Sequence, residues 1–169
     1  MHGYVYLLVH MRNHIAMFNA HIFMNVIQNN LKKIVDMNVL ITLPKNLIDA
    51  IISGEKTFEM RAVKPHLMKC GEDGFYCVEK GTNNVRCWCQ CDYTLKLDAD
   101  EVCTDCWTSR LMVDAKYLEK YCNNKRTIYM WHIAEVVEFE GGGIKRDELY
   151  VDRNPQQFAY CPLSYGRMY

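Results

Sequence analysis

The alternation of apolar and polar positions between residues 37 and 161 predicts one domain with many short strands and few helices. The predicted strands cover residues 39–43, 57–61, 74–78, 85–91, 127–139 and 155–161. Helical spacing occurs at residues 43–53 and 114–121, whereas the polar and acidic stretch 97–106 is predicted to be a loop or an insertion. This arrangement is typical of an α+β domain with a small mixed β-barrel flanked by short helices.

A polar ledge follows the first predicted helix. Gly54 ends that helix, because glycine readily adopts the left-handed conformation found at helix ends. Lys56 comes directly after the turn. Thr57, Glu59 and Arg61 then share one face of a strand, since side chains alternate along a strand. We interpret this crowded set of charged and hydroxyl side chains as the functional site.

The two cations of the ledge suit several kinds of chemistry. Lys56 can hold a phosphate as a cation, or act as a general base when it is desolvated. Arg61 offers a planar fork of donors to a phosphate, or to Glu59 on the same strand face. The structural alternatives are an ion pair of Lys56 with Glu55 or Glu59, and a Glu59–Arg61 pair on a solvated sheet face, which contributes little to stability.

Residues 1–36 differ from the rest of the chain in being rich in Met, His and Asn. Residues 22–35 have the spacing of a modest amphipathic helix, and Met37 stands where an initiator methionine would stand. We therefore predict an N-terminal extension at residues 1–36, a domain at residues 37–161 and a C-terminal tail at residues 162–169. The extension either has no function, as is common for terminal segments, or forms a docking helix for a protein partner.

Composition and charge exclude several classes of protein. The 169 residues are enough for one domain with a full core. Twenty basic and twenty acidic side chains cancel, so nucleic-acid binding must come from a local patch. The apolar run at residues 5–9 is too short to span a membrane. Nine cysteines without a secretory signal favour a reducing, cytoplasmic location with free or metal-bound thiols.

The cysteine spacing suggests a zinc site. Cys103 and Cys106 have the Cys-x-x-Cys spacing of a common zinc half-site. Cys91, with one of Cys89 or Cys122, would complete a tetrahedral set of ligands. The alternative is that most of these thiols pack in the core, where free cysteine behaves as a small apolar residue.

Five motifs occur in order along the chain: Gly54-x-Lys56-x-x-Glu59-x-Arg61, Phe75-Tyr76-Cys77, Tyr117-Leu118-Glu119-Lys120-Tyr121, Tyr129-x-Trp131-His132-Ile133 and Pro155-Gln156-Gln157-Phe158-x-Tyr160. In this order they resemble the ASCH domains, a branch of the PUA-like fold, and are most similar to phage-associated and bacterial forms. The resemblance implies a PUA-like β-barrel flanked by helices. It also implies a cleft beside the turn after Gly54, which would hold single-stranded RNA or a modified nucleoside.

Ligand contacts are expected around this cleft, from Lys56, Thr57, Glu59, Arg61, Lys64 and His132. Lys64 and the neighbouring His66 add positive charge just after the ledge and would contact phosphate. If Trp131 faces the core, His132 faces outward or towards the cleft, because successive residues of a strand alternate. A single histidine in a strand is otherwise a structural residue.

Enzymatic activity is the alternative to binding. A group of small enzymes similar to these domains hydrolyses acetylated cytidine with a lysine, a threonine three residues later and a distant glutamate. This chain keeps Lys56 but has Glu59 at the threonine position, which counts against that chemistry. A hydrolase acting on an acylated pyrimidine nucleoside or on RNA would use Lys56 as the base or as the activator of a nucleophile, and Glu59 as a proton shuttle. A protein-interaction module that docks through the N-terminal extension is the third hypothesis.

Overall fold

A mixed sheet of seven strands runs through the domain in the computed structural model, which describes residues 38–103 and 105–161. The strands are β1 (Asn38–Leu43), β2 (Phe58–Arg61), β3 (Gly74–Glu79), β4 (Asn84–Asp98), β5 (Thr127–Glu138), β6 (Ile144–Lys145) and β7 (Ala159–Cys161). Their order across the sheet is β2-β5-β4-β3-β1-β7, and β6 pairs with β4. The strands β1 and β3 are parallel, and the other pairs are antiparallel. The predicted segments 1–36 and 162–169 lie outside the described residues, so the domain boundaries stay predictions.

Short helices accompany the sheet within the described residues. They are α1 (Lys45–Ile52), α2 (Ala99–Val102), α3 (Asp105–Leu111) and α4 (Ala115–Cys122). Gly54 follows α1 with a φ of 80°, as expected for glycine after a helix end. Asp114 caps α4, since its carboxylate accepts the N–H of Tyr117 at 2.6 Å. Of the described helices, none combines the length and the apolar run needed to cross a membrane.

The two faces of the β2–β5 pair bury different cores. Trp131 packs with Phe75 in a first core, on the side of the sheet that α1 covers. Met130, the preceding residue, packs in a second core that includes Leu111 of α3 and Leu118 of α4. The predicted separation of the Trp131 face from the Met130 face is therefore confirmed, as is the α+β class.

The prediction that residues 97–106 form a loop is wrong. The strand β4 continues to Asp98, and α2 and the beginning of α3 occupy the rest of this stretch. Ala99, Val102 and Trp107 bury their side chains in the second core. Acidic residues dominate the composition here, whereas the few apolar residues that fix the structure are widely spaced.

The buried thiol of Cys161, at the end of β7, predicts a loss of stability in alkaline solution. Burial raises the pKa of this thiol from 9.0 to about 12. Between pH 9 and pH 12 the unfolded chain therefore loses a proton that the folded chain keeps, and the free energy of unfolding falls as pH rises. We expect Cys161→Ala to flatten this fall in denaturant unfolding measured across that range. Cys106→Ala, at an exposed thiol, is the control. Equal slopes in wild type and Cys161→Ala would contradict the prediction.

Candidate ligand-binding site

Lys56 is a buried cation that forms hydrogen bonds with α1, β2 and α3. It follows the turn after α1, where its backbone N–H donates to Ala50 O at 2.9 Å. Its Nζ donates to Phe58 O at 2.6 Å and to Leu111 O at 3.0 Å, and lies 3.3 Å from Glu59 Oε2. The side chain is only 2% exposed. Lys56 thus links the start of β2 to the end of α3.

Glu59 and Arg61 extend this buried ionic cluster along β2. Glu59 Oε1 lies 2.9 Å from Arg61 Nε, while the other carboxylate oxygen contacts Lys56. Arg61 Nη1 donates to Gln157 O at 2.9 Å, which ties β2 to the segment before β7. Because both side chains are almost fully buried, the carboxylate and the two cations depend on one another for compensation of charge.

The ionic cluster borders a cavity of about 580 Å³, a volume within the usual range for small-molecule sites. Lys56, Glu59 and Arg61 line one side, and Tyr117 and Tyr121 of α4 line another. Lys80 and Gly81, from the β3–β4 turn, lie at the rim, and residues 154–157 complete the lining. The last segment is anchored, since Thr42 Oγ1 donates to Pro155 O at 2.9 Å.

The two tyrosines of α4 form an aromatic wall. Their spacing of four residues places them on one helix face, with ring centroids 6.3 Å apart and an interplanar angle of 24°. Tyr117 is 49% exposed, so part of its ring surface is accessible to a ligand. Burial raises the pKa of both hydroxyl groups, and the charges of Glu59 and Arg61 also act on them. The wall is therefore close to the ionic cluster.

Two buried polar atoms of cavity-lining residues make no hydrogen bond within the described structure. They are Arg61 Nε and Gln157 Oε1. Arg61 Nε lies 2.9 Å from Glu59 Oε1 and so forms an ion pair with it, but its N–H does not point at this oxygen. Buried polar groups of proteins are nearly always hydrogen-bonded, so these atoms indicate a place for polar groups of a ligand.

The structure brings together Lys56, Glu59 and Arg61 but does not bring the other predicted ligand contacts to this cavity. Thr57, Lys64 and His66 are not among its lining residues. His132 pairs with Phe58 across β2 and β5, whereas Trp131 pairs with Glu59. His132 is therefore on the opposite face of the sheet, where Nδ1 lies 2.7 Å from Asp92 Oδ1 and the ring stacks on Tyr93 at 4.6 Å.

Sequence reasoning missed Tyr117, Tyr121, Lys80 and Gln157 as residues of the site. The spacing of the tyrosines on one helix face was the only local signal that could have indicated the aromatic wall. Gln157 is 96 positions from Arg61, and the contact between them has no local signature.

The thiols of Cys103 and Cys122 interact with each other, but among the described residues the predicted set of zinc ligands as a whole is not brought together. Cys91 is buried in the first core, opposite Ile133 of β5. Cys103 and Cys106 are exposed, and Cys122 belongs to the second core. In the described part of the chain, three thiols do have sulfur atoms within 4.8 Å of one another, and they belong to Cys77, Cys87 and Cys89. The Cys-x-x-Cys spacing failed as a predictor because the sheet separates Cys91 from the helical segment.

Comparisons with known proteins identify the fold. No known family model and no curated protein matches the chain. The ASCH structure from Zymomonas mobilis superimposes with a TM-score of 0.63 at 14% identity, covering 76% of this chain and 89% of that chain. A serine-to-alanine mutant of the same protein superimposes with a TM-score of 0.62 at 15% identity, covering 73% of this chain and 87% of that chain. A tyrosine-to-phenylalanine mutant superimposes with a TM-score of 0.61 at 15% identity, covering 73% of this chain and 88% of that chain. The described domain therefore has the PUA-like α+β fold of the ASCH domains, as the five sequence motifs predicted.

Proposed function

We propose that the cavity binds a nucleobase, presented by single-stranded RNA or by a modified nucleoside. The observation that carries this proposal is the combination of two buried polar atoms that make no hydrogen bond, Arg61 Nε and Gln157 Oε1, with the half-exposed ring of Tyr117. Proteins that bind unpaired bases stack them on aromatic side chains and hydrogen-bond their polar edges. The cavity offers both kinds of contact, and its volume accommodates a base with its sugar.

Each side chain has a distinct part in this proposal. Tyr117 stacks on the base, while Arg61 Nε and Gln157 Oε1 supply a donor and an acceptor for its polar edge. Glu59 accepts from a nucleobase amine through a remaining lone pair of its carboxylate. Lys80, exposed at the rim, contacts a phosphate. Lys56 is a positioning residue, because its ammonium group is engaged by Phe58 O, Leu111 O and Glu59.

The same contacts make a hydrolase with Lys56 as general base the weaker hypothesis. A general base must present an unprotonated nitrogen to the proton that it removes. The Lys56 Nζ instead donates to two backbone carbonyls and lies beside the buried Glu59 carboxylate, so it is engaged within the protein and is not presented to a ligand. The docking-module hypothesis depends on residues 1–36, which lie outside the described residues.

Titration of a short fluorescent single-stranded RNA tests the proposed site. We expect Tyr117→Ala to weaken binding by about tenfold to a hundredfold, because stacking of one base contributes about 1–3 kcal/mol. Tyr117→Phe should bind nearly as well as wild type, since the ring is kept. Tyr150→Ala is the matched control, because Tyr150 is 75% exposed and does not line the cavity. Equal affinity of wild type and Tyr117→Ala would contradict the proposal, as would equal weakening in both alanine variants.

Lys80→Ala separates the two ligand sources. If RNA is the ligand, this variant should weaken binding and reduce its dependence on salt, whereas the exposed Lys96→Ala should not. If the ligand is a free nucleoside, calorimetry should detect nucleoside binding that depends on Tyr117 and not on Lys80. Absence of both RNA and nucleoside binding would overturn the proposed function.

A further inference from the structure

Three thiols from neighbouring strands meet in the first core. Cys77 of β3 stands opposite Cys87 of β4, and Cys89 lies two residues further along β4, on the same face as Cys87. The Cys89 sulfur is 4.0 Å from the Cys77 sulfur and 4.0 Å from the Cys87 sulfur. All three sulfurs lie within 4.8 Å of one another. All three residues are fully buried.

We propose that Cys77, Cys87 and Cys89 form a binding site for one copper(I) ion with three sulfur ligands. With metal–sulfur bonds of about 2.3 Å, three sulfur atoms around a trigonal ion lie about 4.0 Å apart. The two measured sulfur–sulfur distances equal this spacing. Thiolate sulfur is a soft ligand and selects copper(I), zinc or iron–sulfur clusters over hard cations.

The surroundings of the three sulfurs favour copper(I) over zinc. Structural zinc sites are almost always tetrahedral and need a fourth ligand. Among the described residues, no histidine or carboxylate oxygen joins the three sulfurs within the same distance. The cluster is instead enclosed by apolar side chains of the first core, including Ile41, Phe75 and Trp131. Copper(I) can be three-coordinate, so the three sulfurs complete its coordination without a fourth ligand, and the positive charge of Arg86 beside Cys87 offsets part of the negative charge of the thiolates.

Coordination involves no change of oxidation state when the metal is supplied as copper(I). Each cysteine that binds as a thiolate releases one proton to solvent. Because the sulfurs are fully buried, the ion must enter while the chain is open, either during folding or through local unfolding. Loading should therefore be efficient when the chain folds in the presence of copper(I) and slow when the ion is added to the folded protein.

The test uses the full chain, reduced, freed of metal and refolded without oxygen in the presence of copper(I). The sample is then challenged with the copper(I) chelator bathocuproine disulfonate. We expect the wild type to retain one copper ion per chain, with three sulfur neighbours in X-ray absorption spectra. Cys89→Ala removes the sulfur that contacts both others and should lower copper affinity at least about tenfold. Cys161→Ala, which removes another fully buried thiol, should keep the copper.

Several results would overturn the proposal. They are no retained copper in the wild type, two sulfur neighbours instead of three, and equal retention by Cys89→Ala and Cys161→Ala. Retention of zinc but not of copper(I) after the same refolding would also reject it. If Cys89→Ala does not fold, the number of sulfur neighbours in the wild type still decides the question.

Discussion

Replacing Glu59 with alanine is expected to lower the free energy of unfolding by about 3–5 kcal/mol, because it leaves two buried cations without their shared carboxylate. Lys56 and Arg61 are 2% and 6% exposed, so water cannot replace the lost charge without opening the structure. Denaturant unfolding followed by circular dichroism measures the change.

Glu135→Ala is the matched control for this prediction. Glu135 lies on β5, the strand that pairs with β2, and its side chain is exposed. Its replacement should change stability by less than about 0.5 kcal/mol. A similarly small effect of Glu59→Ala would mean that the cations reach solvent or another partner in solution. The ionic cluster would then not form a rigid side of the cavity.

Gly74→Ala is expected to lower the free energy of unfolding by about 3 kcal/mol, because the first residue of β3 has no room for a side chain. An added Cβ would lie 2.0 Å from Cys89 O and 2.8 Å from the ring of Trp88. The carbonyl belongs to the paired strand β4, so only separation of the strands could relieve the overlap. The Gly74 N–H and the Trp88 indole N–H both donate to Asn38 Oδ1, at 2.8 and 2.9 Å, which further resists such movement.

Gly81→Ala provides the comparison for Gly74→Ala. Gly81 has a φ of 83°, but an added Cβ there would meet no atom within 4 Å. Only backbone strain remains at this position, and we expect Gly81→Ala to lower the free energy of unfolding by about 1 kcal/mol. Unfolding midpoints measured in parallel should rank wild type above Gly81→Ala and Gly81→Ala well above Gly74→Ala. The reverse order would show that strand β3 can move away from β4 at little cost.

The sequence predicts the strands well where apolar and polar residues alternate, because each such strand has one buried face. It also predicts Lys56, Glu59 and Arg61 as a group, since they lie within six consecutive residues. The remaining walls of the cavity could not be predicted, because they come from segments far apart in sequence. Tyr117 and Gln157 reach the site only through the packing of α4 and the path of the chain before β7.

The placement of His132 shows the same limit. Alternation correctly sets His132 on the face opposite to Trp131. Only the register of β5 against β2 decides which of those faces Glu59 shares, and the structure pairs Glu59 with Trp131. Register depends on the whole sheet, so a local pattern does not reveal it. The cysteines are similar, because the three sulfurs that meet lie on two paired strands, and the Cys-x-x-Cys spacing does not mark them.

The ionic cluster also gives the cavity a selectivity based on charge. One carboxylate neutralises only one of the two cations, and Glu59 is the sole acidic residue among the described residues lining the cavity. The side of the cavity formed by the ionic cluster therefore carries one net positive charge, in a place where burial limits screening by salt. Anionic and electron-rich groups are attracted to this side of the cavity, whereas alkylammonium groups, metal dications and positively charged methylated bases are repelled. We therefore expect the proposed nucleobase ligand to bind in a neutral form in preference to a cationic one.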